Sequence, residues 1–143
     1  LVGEWKGVRI IDDYAHHPVE IMACLKAARA IQGQGRVIAI SQPHRFSRLN
    51  ALFEDFAQCY READVAVITP VFAAGEAPIE GVDHAALVQS MKGHGHKQAQ
   101  TLEDLESLPD LIRDLAEPGD MIVCMGAGSI SGHANTLIEK LNT

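Results

Sequence analysis

Ile11-Asp12-Asp13-Tyr14-Ala15-His16-His17-Pro18 packs five ionisable or hydroxyl-bearing side chains into six consecutive positions. A largely apolar run, Val8 to Ile11, leads in, and a helix start, Pro18-Val19-Glu20, leads out. The polar cluster is therefore expected on the loop between a buried strand and a helix. In open α/β sheets that is where ligands bind. A loop that only connects would more cheaply carry Gly, Asn and Ser.

Outward from this stretch, β-branched runs alternate with helical spacings. Pro18 to Ala30 predicts a helix with Ile21, Met22, Leu25 and Ala28 on one face, ended by Gly33-Gln34-Gly35. Val37–Ile40, Asp64–Thr69 and Met121–Met125 predict further strands, and Lys97–Ala99 a minor one. Leu49, Leu52, Phe53, Phe56 and Tyr60 recur at helical spacing, as do Leu87, Val88 and Met91, then Leu108 to Leu115, then Ile130 to Leu141. Glu4-Trp5 ahead of Lys6-Gly7 offers a short hairpin arm. The expected fold is a three-layer, Rossmann-like α/β domain over residues 1–143. Its sheet is mostly parallel, with helices on both faces and room for an antiparallel edge strand. Right-handed crossovers bring every strand-to-helix loop to one sheet edge. The loops at residues 12–17, 41–47 and 126–129 are thus expected to converge.

Composition narrows the function. A length of 143 residues suits one domain with a real core. The charge of −7, with no run of Lys or Arg, argues against nucleic acid and anionic membranes as partners. No apolar run approaches the roughly 20 residues of a membrane span. Cys24, Cys59 and Cys124 are scattered through apolar segments, as expected of free thiols in a reducing cytoplasm. The start on Leu1-Val2-Gly3 suggests a piece of a longer protein.

Asp12, Asp13, Tyr14, His16, His17, His44, Arg45 and Arg48 give two adjacent loops dense chemistry. An Arg beside a His at a strand end suits a carboxylate, which a guanidinium binds in a fork. A metal site built from His16, His17, His44 and Asp13 is the rival, but the spacing matches no zinc pattern and Arg45 opposes a cation. His94 and His96, between glycines, are expected to be solvent-exposed. Gly126-Ala127-Gly128-Ser129-Ile130-Ser131-Gly132 lacks the third glycine of a dinucleotide fingerprint and follows the last strand, not the first. It suits a loop whose backbone approaches a ligand at a helix start. A phospho-acceptor receiver would need an acid after its third strand and a lysine after its fifth; Thr69-Pro70 and Met125-Gly126 stand there. The chain has neither a P-loop nor a nucleophile triad.

Asp12-Asp13-Tyr14-Ala15-His16-His17-Pro18, Gln42-Pro43-His44-Arg45-Phe46, Ala74-Gly75-Glu76 and Gly126-Ala127-Gly128-Ser129-Ile130, in that order, closely resemble the C-terminal domain of the Mur ligases. The resemblance implies the amino-acid-presenting domain of an ATP-dependent amide ligase in bacterial cell-wall precursor synthesis, in the cytoplasm. The reaction implied joins L-alanine to UDP-N-acetylmuramate through an acyl phosphate. It further implies that a UDP-sugar domain and a central ATPase domain precede this one, and that the central domain holds most of the ATP and Mg2+. By resemblance, Tyr14, His16, His44 and Arg45 line the amino-acid end and Asp13 holds the ATP ribose. Gly126, Ala127, Gly128 and Ser129 lie near the ligand. No residue of the domain alone is then catalytic, the domain alone is inactive, and it holds no metal. Asp12 is expected to stabilise the loop backbone. Two alternatives stand: the same domain of a sister ligase that recycles a tripeptide, which tends to carry Phe where Tyr14 stands, and a non-catalytic module for a small carboxylate.

Overall fold

A computed structural model describes all of residues 1–143. Six strands form one sheet in the order β1-β2-β6-β3-β4-β5. The strands are β1 (Gly3–Trp5), β2 (Val8–Asp13), β3 (Val37–Ser41), β4 (Val65–Ile68), β5 (Ala99–Thr101) and β6 (Met121–Met125). Every neighbouring pair is parallel except β1 and β2, which form the short antiparallel arm at one edge. The helices are α1 (Pro18–Gln32), α2 (Phe46–Ala51), α3 (Phe53–Gln58), α4 (His84–Gly93), α5 (Leu108–Leu115) and α6 (Ile130–Leu141).

The three central strands are apolar but for Ser41 at the end of β3, and are buried on both faces, as parallel strands between two helix layers must be. Strand alternation divides the core. Val37, Ala39, Ala66, Ile68 and Val123 pack with Ile21 and Leu25 of α1, Leu49, Phe56 and Leu87. Ile38, Ile40, Val67, Ile122 and Cys124 pack with Ile112 of α5 and Ile130, Ala134 and Leu137 of α6. The expected three-layer fold with helices on both faces is what forms.

Four local expectations are corrected. The spacing from Leu49 to Tyr60 is not one helix: the chain breaks at Leu52 (φ −119°, ψ 26°) into α2 and α3. Apolar period alone does not register such a kink, because both halves keep facing the same core. The minor strand starts at Ala99 rather than Lys97, with Ala99, Gln100 and Thr101 pairing with Ala66, Val67 and Ile68. Asp12 and Asp13 belong to β2 itself, opposite Cys124 and Met125 of β6. Of the histidines between glycines, His94 is exposed and meets Glu54, whereas His96 is half-buried against the Ala63 carbonyl.

β6 lies between β2 and β3, so the connection from β2 to β3 crosses it. The three loops that leave β2, β6 and β3 therefore start side by side at the carboxyl edge, around the point where strand order reverses.

Candidate functional site

Each of the three loops is held by its own side chains. In the first, Asp13 Oδ1 accepts the Ala15 N–H at 2.8 Å, an Asx turn that ends the strand. His17 is the N-cap of α1, its Nδ1 accepting from Val19 N–H, and Glu20 reaches back to the N–H groups of His16 and His17 at 3.2 Å each. Those two backbone bonds hold the Glu20 carboxyl below its usual range. His17 is thereby committed to the helix start. His16 Nδ1 lies 3.0 Å from the Tyr14 carbonyl, so that nitrogen carries the proton.

Strand alternation separates the two aspartates. Asp13 turns toward α1 and stands by Cys24. Asp12 turns the other way, where its Oδ2 accepts from the Ser131 hydroxyl at 2.6 Å and from Asn135 Nδ2 at 3.0 Å. Asp12, expected to stabilise the loop backbone, instead ties β2 to α6, and the backbone contact in this loop is made by Asp13.

Gln42 joins the second and third loops. It is 5% exposed, with Oε1 accepting the Ile130 N–H at 3.1 Å and Nε2 donating to Ser129 Oγ at 3.0 Å. Gly128 is there because nothing larger fits: a Cβ would stand 2.5 Å from the Phe72 ring and 2.8 Å from Gln42 Oε1.

Across these loops runs a file of rings. Tyr14 meets His16 edge-on at 5.2 Å, His16 meets His44 edge-on at 5.8 Å, and His44 stacks on Phe72 at 5.4 Å and 19°. Burial, then the neighbouring His16, Arg45 and Arg48, lowers the His44 pKa, so the ring is neutral near pH 7. Its Nδ1 is buried with no hydrogen-bond partner. Arg45 has φ +69°, ψ 132°, a left-handed setting unusual for a side chain of its size. Its N–H donates to the Phe72 carbonyl at 2.8 Å. Tyr14, His16, His44, Arg45, Arg48 and Ala127 all line one open cleft of about 620 Å³. No carboxylate lies within ion-pair distance of Arg45 or Arg48. Two unpaired guanidiniums beside a neutral imidazole suit an anion.

The structure brings Tyr14, His16, His44, Arg45 and Ala127 together. Asp13 lies at the start of the same loop but does not line that cleft, and no group of three or more His, Cys, Asp or Glu side chains converges on a point. Phe72 escaped the sequence reading, and Gln42 entered it only as part of a motif, with no role. A lone Phe in a loop and a Gln after a strand carry no signal of the contacts they make.

A family model described as the Mur ligase, glutamate ligase domain matches residues 1–128. A UDP-N-acetylmuramate–L-alanine ligase of Rhodospirillum centenum is 54% identical over 140 residues, covering 98% of this chain and 29% of that protein. The chain spans about 30% of the length of the curated relatives it matches. Among solved structures, a UDP-N-acetylmuramate–alanine ligase from Thermotoga maritima superposes with a TM-score of 0.75 at 27% identity, covering 96% of this chain and 27% of that one. A domain from a putative UDP-N-acetylmuramate:L-alanyl-γ-D-glutamyl-meso-diaminopimelate ligase of Haemophilus ducreyi gives 0.69 at 26%, covering 95% of this chain and 93% of that one.

Proposed function

Because the chain belongs to the Mur ligase family, matching its glutamate ligase domain, we propose that it presents the amino acid in an ATP-dependent ligation of L-alanine to UDP-N-acetylmuramate. The observation that carries this reading is the cleft in which Arg45 and Arg48, both without ion-pair partners, stand beside His16 and His44. In this reading the protein works in a bacterial cytoplasm, where its three free thiols stay reduced.

Arg45 forks onto the alanine carboxylate. His44 is neutral, so it donates or accepts a hydrogen bond there without adding a second cation to repel the ammonium. Fixing the carboxylate at one end aims the amine outward from the strand edge, a contribution of proximity and orientation. Asp13 fits an ATP ribose: Oδ1 is taken by the turn, leaving Oδ2 for a hydroxyl of the diol. ATP and Mg2+, which the remainder of such a ligase would mainly hold, supply the phosphoryl group that activates the UDP-N-acetylmuramate carboxylate as an acyl phosphate. Closure of the flanking domains on this edge would exclude water from the reaction.

The tripeptide-recycling reaction is distinguished by chemistry. There the alanine carboxyl is already an amide, and the carboxylates of the tripeptide lie further along the peptide than the one an arginine beside the alanine would meet. Mass spectrometry of the product formed by the full-length protein from ATP, UDP-N-acetylmuramate and equal L-alanine and tripeptide tests the assignment. The expected product is the L-alanine adduct. Predominant tripeptide adduct would overturn it.

A further inference from the structure

We propose that Glu76 is a positioning residue for the amino-acid end of the cleft, capping from a separate loop the short helix that begins at Arg45. The inference rests on the function proposed above and adds a role for a segment that function leaves unused. α2 starts without a cap of its own: Arg45, at the N-cap position, makes no side-chain cap bond, and the first turn contains no acid. The unsatisfied backbone donors of a helix start need an acceptor. Glu76 supplies one from 29 positions away, Oε1 accepting the Ser47 N–H at 3.0 Å and Oε2 the Ser47 hydroxyl at 2.5 Å. The Ser47 bonds, with help from the Arg45 charge, hold the Glu76 carboxyl below its usual range.

The backbone is shaped for this contact. Ala74 and Gly75 take φ +52° and +88° in succession, and that double left-handed turn delivers Glu76 to the helix. A Cβ at Gly75 would meet nothing within 4 Å, so the glycine answers a conformational need rather than a shortage of space. The same loop holds Arg45 through the Phe72 carbonyl and His44 through the Phe72 ring. Arg45, in an unfavourable left-handed conformation, is thus pinned on both sides: its own N–H to Phe72, and Ser47 to Glu76. With the cap gone, Arg45 relaxes toward an ordinary φ and its guanidinium leaves the cleft position.

The test has two arms. In full-length enzyme, Glu76→Ala should raise the KM for L-alanine roughly three- to tenfold, and Ser47→Ala, which loses the hydroxyl bond but keeps the amide one, should raise it less. The KM values for ATP and UDP-N-acetylmuramate should stay within about twofold. Glu76→Gln keeps an oxygen for the Ser47 N–H and should fall between wild type and Glu76→Ala. The Glu76→Ala/Ser47→Ala double variant should be no worse than Glu76→Ala, which already removes both bonds. A KM for L-alanine unchanged in Glu76→Ala, or a double variant clearly worse than Glu76→Ala, would overturn the proposal. In the 143-residue chain without substrate, Glu76→Ala should shift the Arg45 and Ser47 amide resonances and speed Ser47 amide exchange. Unchanged spectra would overturn the capping role whatever the ligase assay gives; a wild-type enzyme inactive on L-alanine would overturn the proposed function instead.

Discussion

The Asp12 carboxylate accepts the Ser131 hydroxyl at 2.6 Å, joining the end of β2 to the first turn of α6 across 119 positions of sequence. Asn135, one turn further along α6, donates to the same oxygen at 3.0 Å. The loop of Gly126 to Ser129 leads from β6, the strand paired with β2, into the first turn of α6, so its place beside the cleft depends on a residue that touches no ligand in the proposed mechanism.

Asp12→Ala should therefore destabilise the chain. It leaves the half-buried Ser131 hydroxyl without its acceptor, while the exposed Asn135 amide keeps the Ser131 carbonyl; the cost is roughly 1 kcal/mol, or a few degrees in melting temperature for a domain of this size. Ser131→Ala should lower it less, because Asn135 remains to pair with Asp12. Calorimetry of the three chains checks this; melting temperatures equal to wild type would show that the tie carries no stability.

Asp13 is separable from Asp12 by choice of substitution. Asparagine preserves the oxygen that accepts from Ala15, so Asp13→Asn should leave the melting temperature nearly unchanged. It should raise the KM for ATP in the full-length enzyme and leave that for UDP-N-acetylmuramate alone. A fall in melting temperature with ATP kinetics intact would make Asp13 purely structural.

Alkaline pH should weaken the fold. Burial pushes the thiols of Cys24, Cys59 and Cys124 from 9.0 up to about 12, and burial also raises the Tyr60 hydroxyl well above 10.0. Each group ionises more readily in the unfolded chain than in the folded one. Their stability contribution is complete below about pH 8 and is lost as pH climbs through about 9 toward 12. Urea melts at pH 7, 8 and 10.5 should show a midpoint unchanged between the first two and lower at the third. A midpoint flat to pH 10.5 would contradict the burial of these groups.

Two glycines near the same loop should respond in opposite directions. At Gly128 an added Cβ strikes Phe72, whose ring supports His44. Gly128→Ala should therefore both destabilise the chain and raise the KM for L-alanine. At Gly132, inside α6, a Cβ meets nothing within 4 Å, and Gly132→Ala should stabilise by about 0.5–1 kcal/mol. Melting curves and L-alanine kinetics on both variants check the contrast; equal behaviour would refute it.

What the sequence revealed followed from local chemistry. β-branched runs marked the central strands, Pro18 marked the start of α1, and right-handed crossovers implied that the loops after β2, β3 and β6 would meet. That Tyr14, His16, His44 and Arg45 would gather at one cleft was legible because both polar loops follow strands of one parallel sheet. The kink at Leu52 was hidden because apolar spacing continues through it. The partners of Asp12, Gln42 and Phe72 were hidden because each bond spans a long stretch of chain. Period-two alternation would have told Asp12 from Asp13, had β2 been carried two residues further: Ile10 and Asp12 share the α6 face, and Ile11 and Asp13 the α1 face.

The claim that this domain holds the amino acid by its carboxylate is tested most directly by Arg45→Ala in the full-length enzyme, with L-alanine, ATP and UDP-N-acetylmuramate varied in turn. Loss of a charge-assisted pair costs roughly 1.5–3 kcal/mol, or about ten- to a hundredfold in affinity. The KM for L-alanine should rise by that factor, with a smaller change for ATP and none for UDP-N-acetylmuramate. An effect confined to ATP, with the KM for L-alanine unchanged, would contradict the account.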